Sequence, residues 1–335
     1  MKETAMRLFL LSLSLIGLVA APVLAAPTRA MQKAWPKTDF SRHSVELAQI
    51  MSGGPPKDGI PSIDQPKFIT VAASDLPANE PVIGLEVNGV ARAYPLRIMT
   101  WHEIVNDEIG GVPVIVTYCP LCNTAIVYDR RIKGVNGAPS FGTSGMLMNS
   151  NLIMYDRASE TWWQQFTGTG IVGRFEGVRL KALPARLESF ASFKKRFPKA
   201  VVLVPNNPNA RPYGRNPYKG YDSAAKPFLY RGDLPKNISP MARVVVVDDT
   251  AYDLNLIRAR KTLINGKVRL RYEGDHASAL GASTIAKARP VAGVSVQKKD
   301  QDGAWHDIPY DVTFAFVFHA FKPDGQWKLM PKPKG

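Results

Sequence analysis

Apolar residues in this chain come in short, often valine-rich runs separated by Gly, Asn and Asp, which predicts strands joined by tight turns. Residues 82–87 and 90–94 flank Asn88-Gly89, a dipeptide suited to a two-residue hairpin because both positions tolerate positive φ. Gly110-Gly111 opens a further strand, 112–118, that runs into Cys119-Pro120-Leu121-Cys122. Strands are expected again over 125–131, 141–145, 152–155, 161–166 and 201–204, and Asn136-Gly137 marks another turn. Residues 101–107 read as a helical or irregular bridge.

Helical periodicity is scarcer. Phe190, Phe193 and Phe197 share one face, Lys194, Lys195 and Arg196 cover another, and Pro198 stops the run. That phenylalanine stripe reads as core. A shorter helix is expected over 44–52, ended by Gly53-Gly54-Pro55-Pro56. Residues 205–240 are rich in Pro, Gly and Asn yet keep recurring aromatics, so they predict a long ordered loop rather than a linker.

The second half echoes the first. Residues 241–252 repeat the pattern of the 81–94 hairpin, aligning Ala91 with Ala251, and Asn265-Gly266 with 268–272 repeats Gly110-Gly111 with 112–118, aligning Tyr118 with Tyr272. The cysteine turn then faces Glu273-Gly274-Asp275-His276. The expected fold class is α+β, predominantly β, with two degenerate related lobes and a cleft between them. The divisions are a leader over 26–60, a first lobe over 61–240 and a second over 241–335.

The N-terminus changes the setting. Lys2 and Arg7 precede an apolar run, 8–20, too short to span a bilayer comfortably, and Val23-Leu24-Ala25 supplies small-residue cleavage chemistry. Residues 1–25 therefore read as a signal peptide cleaved after Ala25, which makes the protein periplasmic or secreted. No cysteine adjoins that site, which excludes a lipoprotein anchor, and no later stretch approaches membrane-span length, so a soluble mature chain is expected. The 335 residues carry 45% hydrophobic content and a formal charge of +15. That charge is spread out; in an exported chain it suits another envelope protein or an anionic cell-wall component as partner, not nucleic acid.

Residues 91–96, 101–107, 117–123, 141–145, 154–157 and 211–218 carry motifs such as Trp101-His102-Glu103 and Arg211-Pro212-Tyr213-Gly214-Arg215. In this order they resemble the family known as domain of unknown function 3179, over roughly residues 60–321. The resemblance implies an exported or envelope protein and brings no reaction with it.

Cys119 and Cys122 are the only two cysteines. At this spacing the sulfurs can form a disulfide or share a soft metal, and a thiol at the start of a helical turn is made more acidic by the N–H groups facing it. A purely structural bridge across so short a loop removes little chain entropy. The leading expectation is thiol–disulfide redox, Cys119 attacking and Cys122 resolving, or copper or zinc handling with His102 as third ligand and Met99, Met146, Met148 or Met154 as thioether donors. His102-Glu103 lacks the second histidine of a zinc-protease helix, since residue 106 is Asn. The alternative is a non-catalytic envelope binding module with a structural disulfide, using Trp163, Arg211, Tyr213, Arg215 and Tyr218 as flat faces and guanidinium forks. A hydrolase comes third, with Thr143 or Ser144 as nucleophile, His102 as base and Glu103 or Asp107 as orienter.

Overall fold

A computed structural model describes residues 27–331. The expected signal peptide lies outside the described residues. The Asn88-Gly89 hairpin forms as expected, with φ of 51° and 79° at its two turn residues, between strands Pro81–Val87 and Val90–Pro95. Gly110 and Gly111 likewise take positive φ and join Ile104–Ile109 to Val112–Cys119. The bridge expected over 101–107 is instead the end of a helix, Leu96–His102, and the start of that Ile104–Ile109 strand.

Five small sheets build the molecule as a five-bladed β-propeller, numbered here by chain order. In blade 1 the first hairpin is flanked by Ala185–Ser189 on one side and by Val201–Val204, then Lys67–Thr70, on the other. Blade 2 runs Ile104–Ile109, Val112–Cys119, Thr124–Asp129, Lys181–Leu183. Blade 3 orders Met51–Ser52, Phe141–Met148, Asn151–Asp156, Trp162–Gln164 and Thr169–Val172. Blade 4 holds Asp311–Phe314, Arg243–Val247, Thr250–Asp253 and Gln326–Lys328. Blade 5 holds Thr262–Asn265, Val268–Ala277, Pro290–Lys299 and Trp305–Asp307.

The expected two lobes with an intervening cleft are therefore corrected. Strand Val112–Cys119 buries successive residues on both faces from Val114 to Cys119, so each side of its sheet is covered by a neighbour. One continuous apolar core joins Ile83, Val116, Met154, Val245 and Val294, one from each blade, which leaves no line along which two lobes separate. Blade 4 nonetheless repeats the strand order of blade 1, including its parallel outer pair, and blade 5 repeats that of blade 2. Four seven-residue helices, Leu96–His102, Phe190–Arg196, Leu254–Arg260 and Ala315–Phe321, sit at matching points. Blade 3 falls between the third and fourth strands of blade 2 and has no counterpart.

Residues 27–60, expected as part of a leader, pack against blade 3. Trp35 meets Tyr155 and Trp162 edge-on, with ring centroids 5.0 and 5.2 Å apart, and Phe40 meets Trp162 at 5.4 Å. Lys57 pairs with Glu160 at 2.6 Å. The helix expected over 44–52 shrinks to a 3-10 turn, Leu47–Gln49, because Met51 and Ser52 pair with Leu147 and Met146 as the edge strand of blade 3.

Candidate functional site

The turn that carries the cysteines is held from three sides. Within it, the Cys122 N–H donates to the Cys119 carbonyl and the Asn123 N–H to that of Pro120, each at 3.2 Å, with Asn123 at φ 53°. Blade 4 pins it from below, where the Cys122 carbonyl accepts from the Phe314 N–H at 3.1 Å and the Thr313 hydroxyl at 3.0 Å. Blade 3 reaches it through a tight hairpin whose turn residues, Asn149 and Ser150, both take positive φ. The Ser150 carbonyl ends 3.4 Å from Cys122 Sγ and 3.8 Å from Cys119 Sγ. The cysteines are not joined, and both are buried, Cys119 at 2% exposure and Cys122 fully.

The two thiols differ in character. Burial works against a Cys119 thiolate, but donation from the Cys122 thiol and from the N–H groups of Leu152, Cys122 and Leu121 outweighs it and lowers the Cys119 pKa. Burial and the adjacent Cys119 push Cys122 well up. The shared proton therefore sits on Cys122, within reach of the Ser150 carbonyl. Glu103 stands next to this pair. It caps the Leu96–His102 helix in the left-handed conformation, φ 57°, and its carbonyl accepts from the Tyr118 N–H at 2.8 Å. Burial, and then the charge on Cys119, raise its pKa well above the ordinary carboxylate value, which favours the protonated acid.

Glu103 and Cys119 open on one cavity of about 510 Å³. Its wall is largely apolar, including Ile60, Leu121, Met146, Leu152 and Phe228, and Glu103 is the one carboxyl residue in it. Tyr218 and Tyr221 from the 205–240 loop close one side. The Tyr221 hydroxyl donates to the Leu121 carbonyl at 3.0 Å and accepts from the Phe228 N–H at 3.2 Å, which ties that loop to the cysteine turn.

The other residues singled out from sequence fall elsewhere. His102 points away, its Nδ1 2.8 Å from the Pro61 carbonyl and its Nε2 2.9 Å from the Tyr213 hydroxyl, with the Tyr213 ring stacked on it. Burial depresses its pKa, with Arg211 adding to the effect and the Pro61 carbonyl opposing it. His102 is thus not brought to Cys119 and Cys122, and among the described residues no group of three His, Cys, Asp or Glu could hold a metal ion. Of the four methionines only Met146 lines the cavity; Met99 and Met154 are core.

The Ser144 hydroxyl donates to the Ile153 carbonyl and accepts from the Met146 N–H, so Ser144 and His102 have separate partners and no hydrolase pair forms. Trp163 is fully buried and donates to Asp156, which removes it as a ligand face. Arg211 and Tyr218 border a smaller pocket beside Trp101, while Arg215 is exposed and its backbone bridges to Thr284. Ser150 and Thr313 had no legible signal, because backbone carbonyls and cross-blade anchors leave no mark in residue type.

Fold and site together define a β-propeller with a Cys-x-x-Cys turn set at the wall of an apolar cavity. Residues 57–325 match the family described as protein of unknown function (DUF3179), and the chain belongs to it. No curated protein and no solved structure matches the chain. No helix among the described residues is long and apolar enough to cross a membrane.

Proposed function

We propose that this protein is an exported thiol oxidoreductase in which Cys119 attacks and Cys122 resolves. One asymmetry carries the reading: Cys119 lines the cavity and has its pKa lowered by the Cys122 thiol and neighbouring backbone N–H groups, while Cys122 is not in the cavity lining and has its pKa raised. The first sulfur is the more acidic of the pair, and the thiolate is the reactive form. Once Cys119 is bonded to a substrate sulfur or oxygen its charge is gone. One cause that keeps Cys122 protonated, the charge on Cys119, then disappears while burial remains, and Cys122 gives up its proton as it displaces the substrate fragment, leaving an intramolecular disulfide. Glu103 lines the same cavity. Copper or zinc handling has only two of its three ligands together and is set aside, as is the hydrolase. Export rests on the signal read in residues 1–25; N-terminal sequencing of protein from the periplasmic fraction checks it, with a start at Ala26 expected.

The test is trapping. Reduced protein is exposed to one equivalent of an aryl disulfide. Wild type should lose two thiols and release two aryl thiolates. Cys122→Ser should stop at a mixed disulfide on Cys119, and Cys119→Ser should react far more slowly. Equal reaction of both single variants would remove the division of roles, and no reaction of native wild type would remove the function.

A further inference from the structure

We infer that the cavity beside Cys119 takes an organic hydroperoxide with an apolar body, and that Glu103 donates the proton to its leaving alkoxide. This rests on the thiol reading above and names its substrate.

Three features on the page select this class. The wall of Ile60, Leu121, Met146, Leu152 and Phe228 offers an apolar enclosure of about 510 Å³, enough for a body of drug-like size. Cys119 is nearly fully buried at the cavity wall, which excludes the flat approach of a protein disulfide and admits a slender terminal group. The third is the identity of the one carboxyl residue in the wall. A departing thiolate needs no proton, since a thiol has a pKa near 8.5. A departing alkoxide is about as basic as hydroxide and does need one, so a carboxyl group on the same cavity wall as Cys119, biased towards its protonated form by burial, serves oxygen chemistry and is idle in sulfur exchange.

The steps balance. The Cys119 thiolate attacks the terminal oxygen of R–O–O–H; an S–O bond forms as the O–O bond breaks, sulfur is oxidised by two electrons, and RO⁻ takes the Glu103 proton to leave as ROH. The product is a sulfenic acid on Cys119, and Glu103 regains a proton from solvent. Cys122 then attacks that sulfur, an S–S bond replaces S–O, and the thiol proton leaves with the hydroxide as water. A dithiol reductant returns the pair for the next turnover.

The experiment uses the full mature chain, reduced and desalted, with cumene hydroperoxide, hydrogen peroxide and an aryl disulfide in parallel, each at one equivalent. The expected result is loss of two thiols per cumene hydroperoxide, release of one cumyl alcohol, and a rate well above that with hydrogen peroxide. Cys122→Ser should instead gain one oxygen by mass and react with a sulfenic-acid probe. Glu103→Gln should slow the cumene hydroperoxide reaction about 10²-fold and slow the aryl disulfide less. The wild-type rate should fall at alkaline pH, a limb that Glu103→Gln lacks; this readout does not depend on comparing folded yields. Reaction with the disulfide but not the hydroperoxide overturns the substrate class and leaves the thiol reading standing. Equal rates with hydrogen peroxide and cumene hydroperoxide overturn selection by the cavity. Inertness towards all three removes both.

Discussion

The Tyr272 N–H donates to the Lys261 carbonyl at 2.9 Å, reproducing in blade 5 the bond that Tyr118 makes to Glu103 in blade 2. Lys261 closes its helix at φ 63° as Glu103 closes its own at φ 57°. The second copy thus keeps the backbone device and changes its chemistry, with Lys261 in place of the acid and Glu273 in place of Cys119. The first copy alone carries the site, because only there does blade 3 bring in a hairpin to cover the turn.

Removing the donor behind Cys119 should shift its titration. A hydrogen bond to a charged group is worth about 1.5–3 kcal/mol, equivalent to roughly one to two pKa units. Cys122→Ala should therefore move the pH profile of iodoacetamide alkylation at Cys119 to higher pH by about that amount. Cys122→Ser, which keeps an O–H donor, should move it less. An unmoved profile in Cys122→Ala would show that the N–H groups of Leu121, Cys122 and Leu152 alone set the acidity.

Glu103 should make the fold sensitive to alkali. Its folded pKa is raised, by burial first and then by Cys119. The folded state thus binds the extra proton, and the contribution is complete below the unfolded carboxylate value and lost as pH rises through the folded one. Thermal unfolding from pH 5 to 9 should show a decline that Glu103→Gln flattens. A slope unchanged in that variant would contradict the raised pKa of Glu103.

Asp311 makes a second such case away from the cysteines. It borders a separate cavity of about 600 Å³ with Tyr128 and Tyr310, and burial raises its pKa to about 7 against the opposing pull of Arg179. Its stabilising contribution is full below the ordinary carboxylate value of 3.8 and is lost as pH rises to about 7, at a cost of at most about 1.4 kcal/mol per pH unit. Asp311→Asn should be more stable than wild type by a margin that grows from about pH 4 to about pH 7, read from denaturant midpoints at about pH 4 and pH 8, with little difference at the lower pH.

Trp35 should be as costly to remove as a central core residue. Its ring is buried between Tyr155 and Trp162, with the Lys57 ammonium 4.3 Å from its centroid. Trp35→Ala should cost about 3–5 kcal/mol in equilibrium unfolding. A loss under about 1 kcal/mol, the range of ordinary surface changes, would restore these residues to the status of a leader.

Local structure was legible wherever it depends on local physics. Asn88-Gly89 and Gly110-Gly111 turn as their dipeptides dictate, since few other residues adopt positive φ at low cost. The Phe190, Phe193 spacing gave the Phe190–Arg196 helix, stopped before Pro198. The echo of 81–118 in 241–272 pointed to matching strand orders, but not to where the copies sit. Misreadings came where burial is two-sided: a run such as Val114–Tyr118 looks the same in an open lobe and in a blade packed between neighbours. Residues 26–60 looked like a leader because Trp35, Phe40 and Leu47 are too widely spaced to form a pattern by themselves; they become core only against blade 3.

The candidate site divides the same way. Residue order by itself determined that Cys119 and Cys122 share one tight turn at the end of a buried strand, since two intervening residues leave the chain no other option. Only the tertiary structure decided that His102 turns to Tyr213, that Glu103 and not an imidazole stands beside the thiols, and that the Ser150 carbonyl from another blade comes within 3.4 Å of the Cys122 sulfur. Those relations span dozens of residues. They depend on how sheets stack, and stacking is settled by the whole set of buried faces competing for one core, which no local pattern encodes.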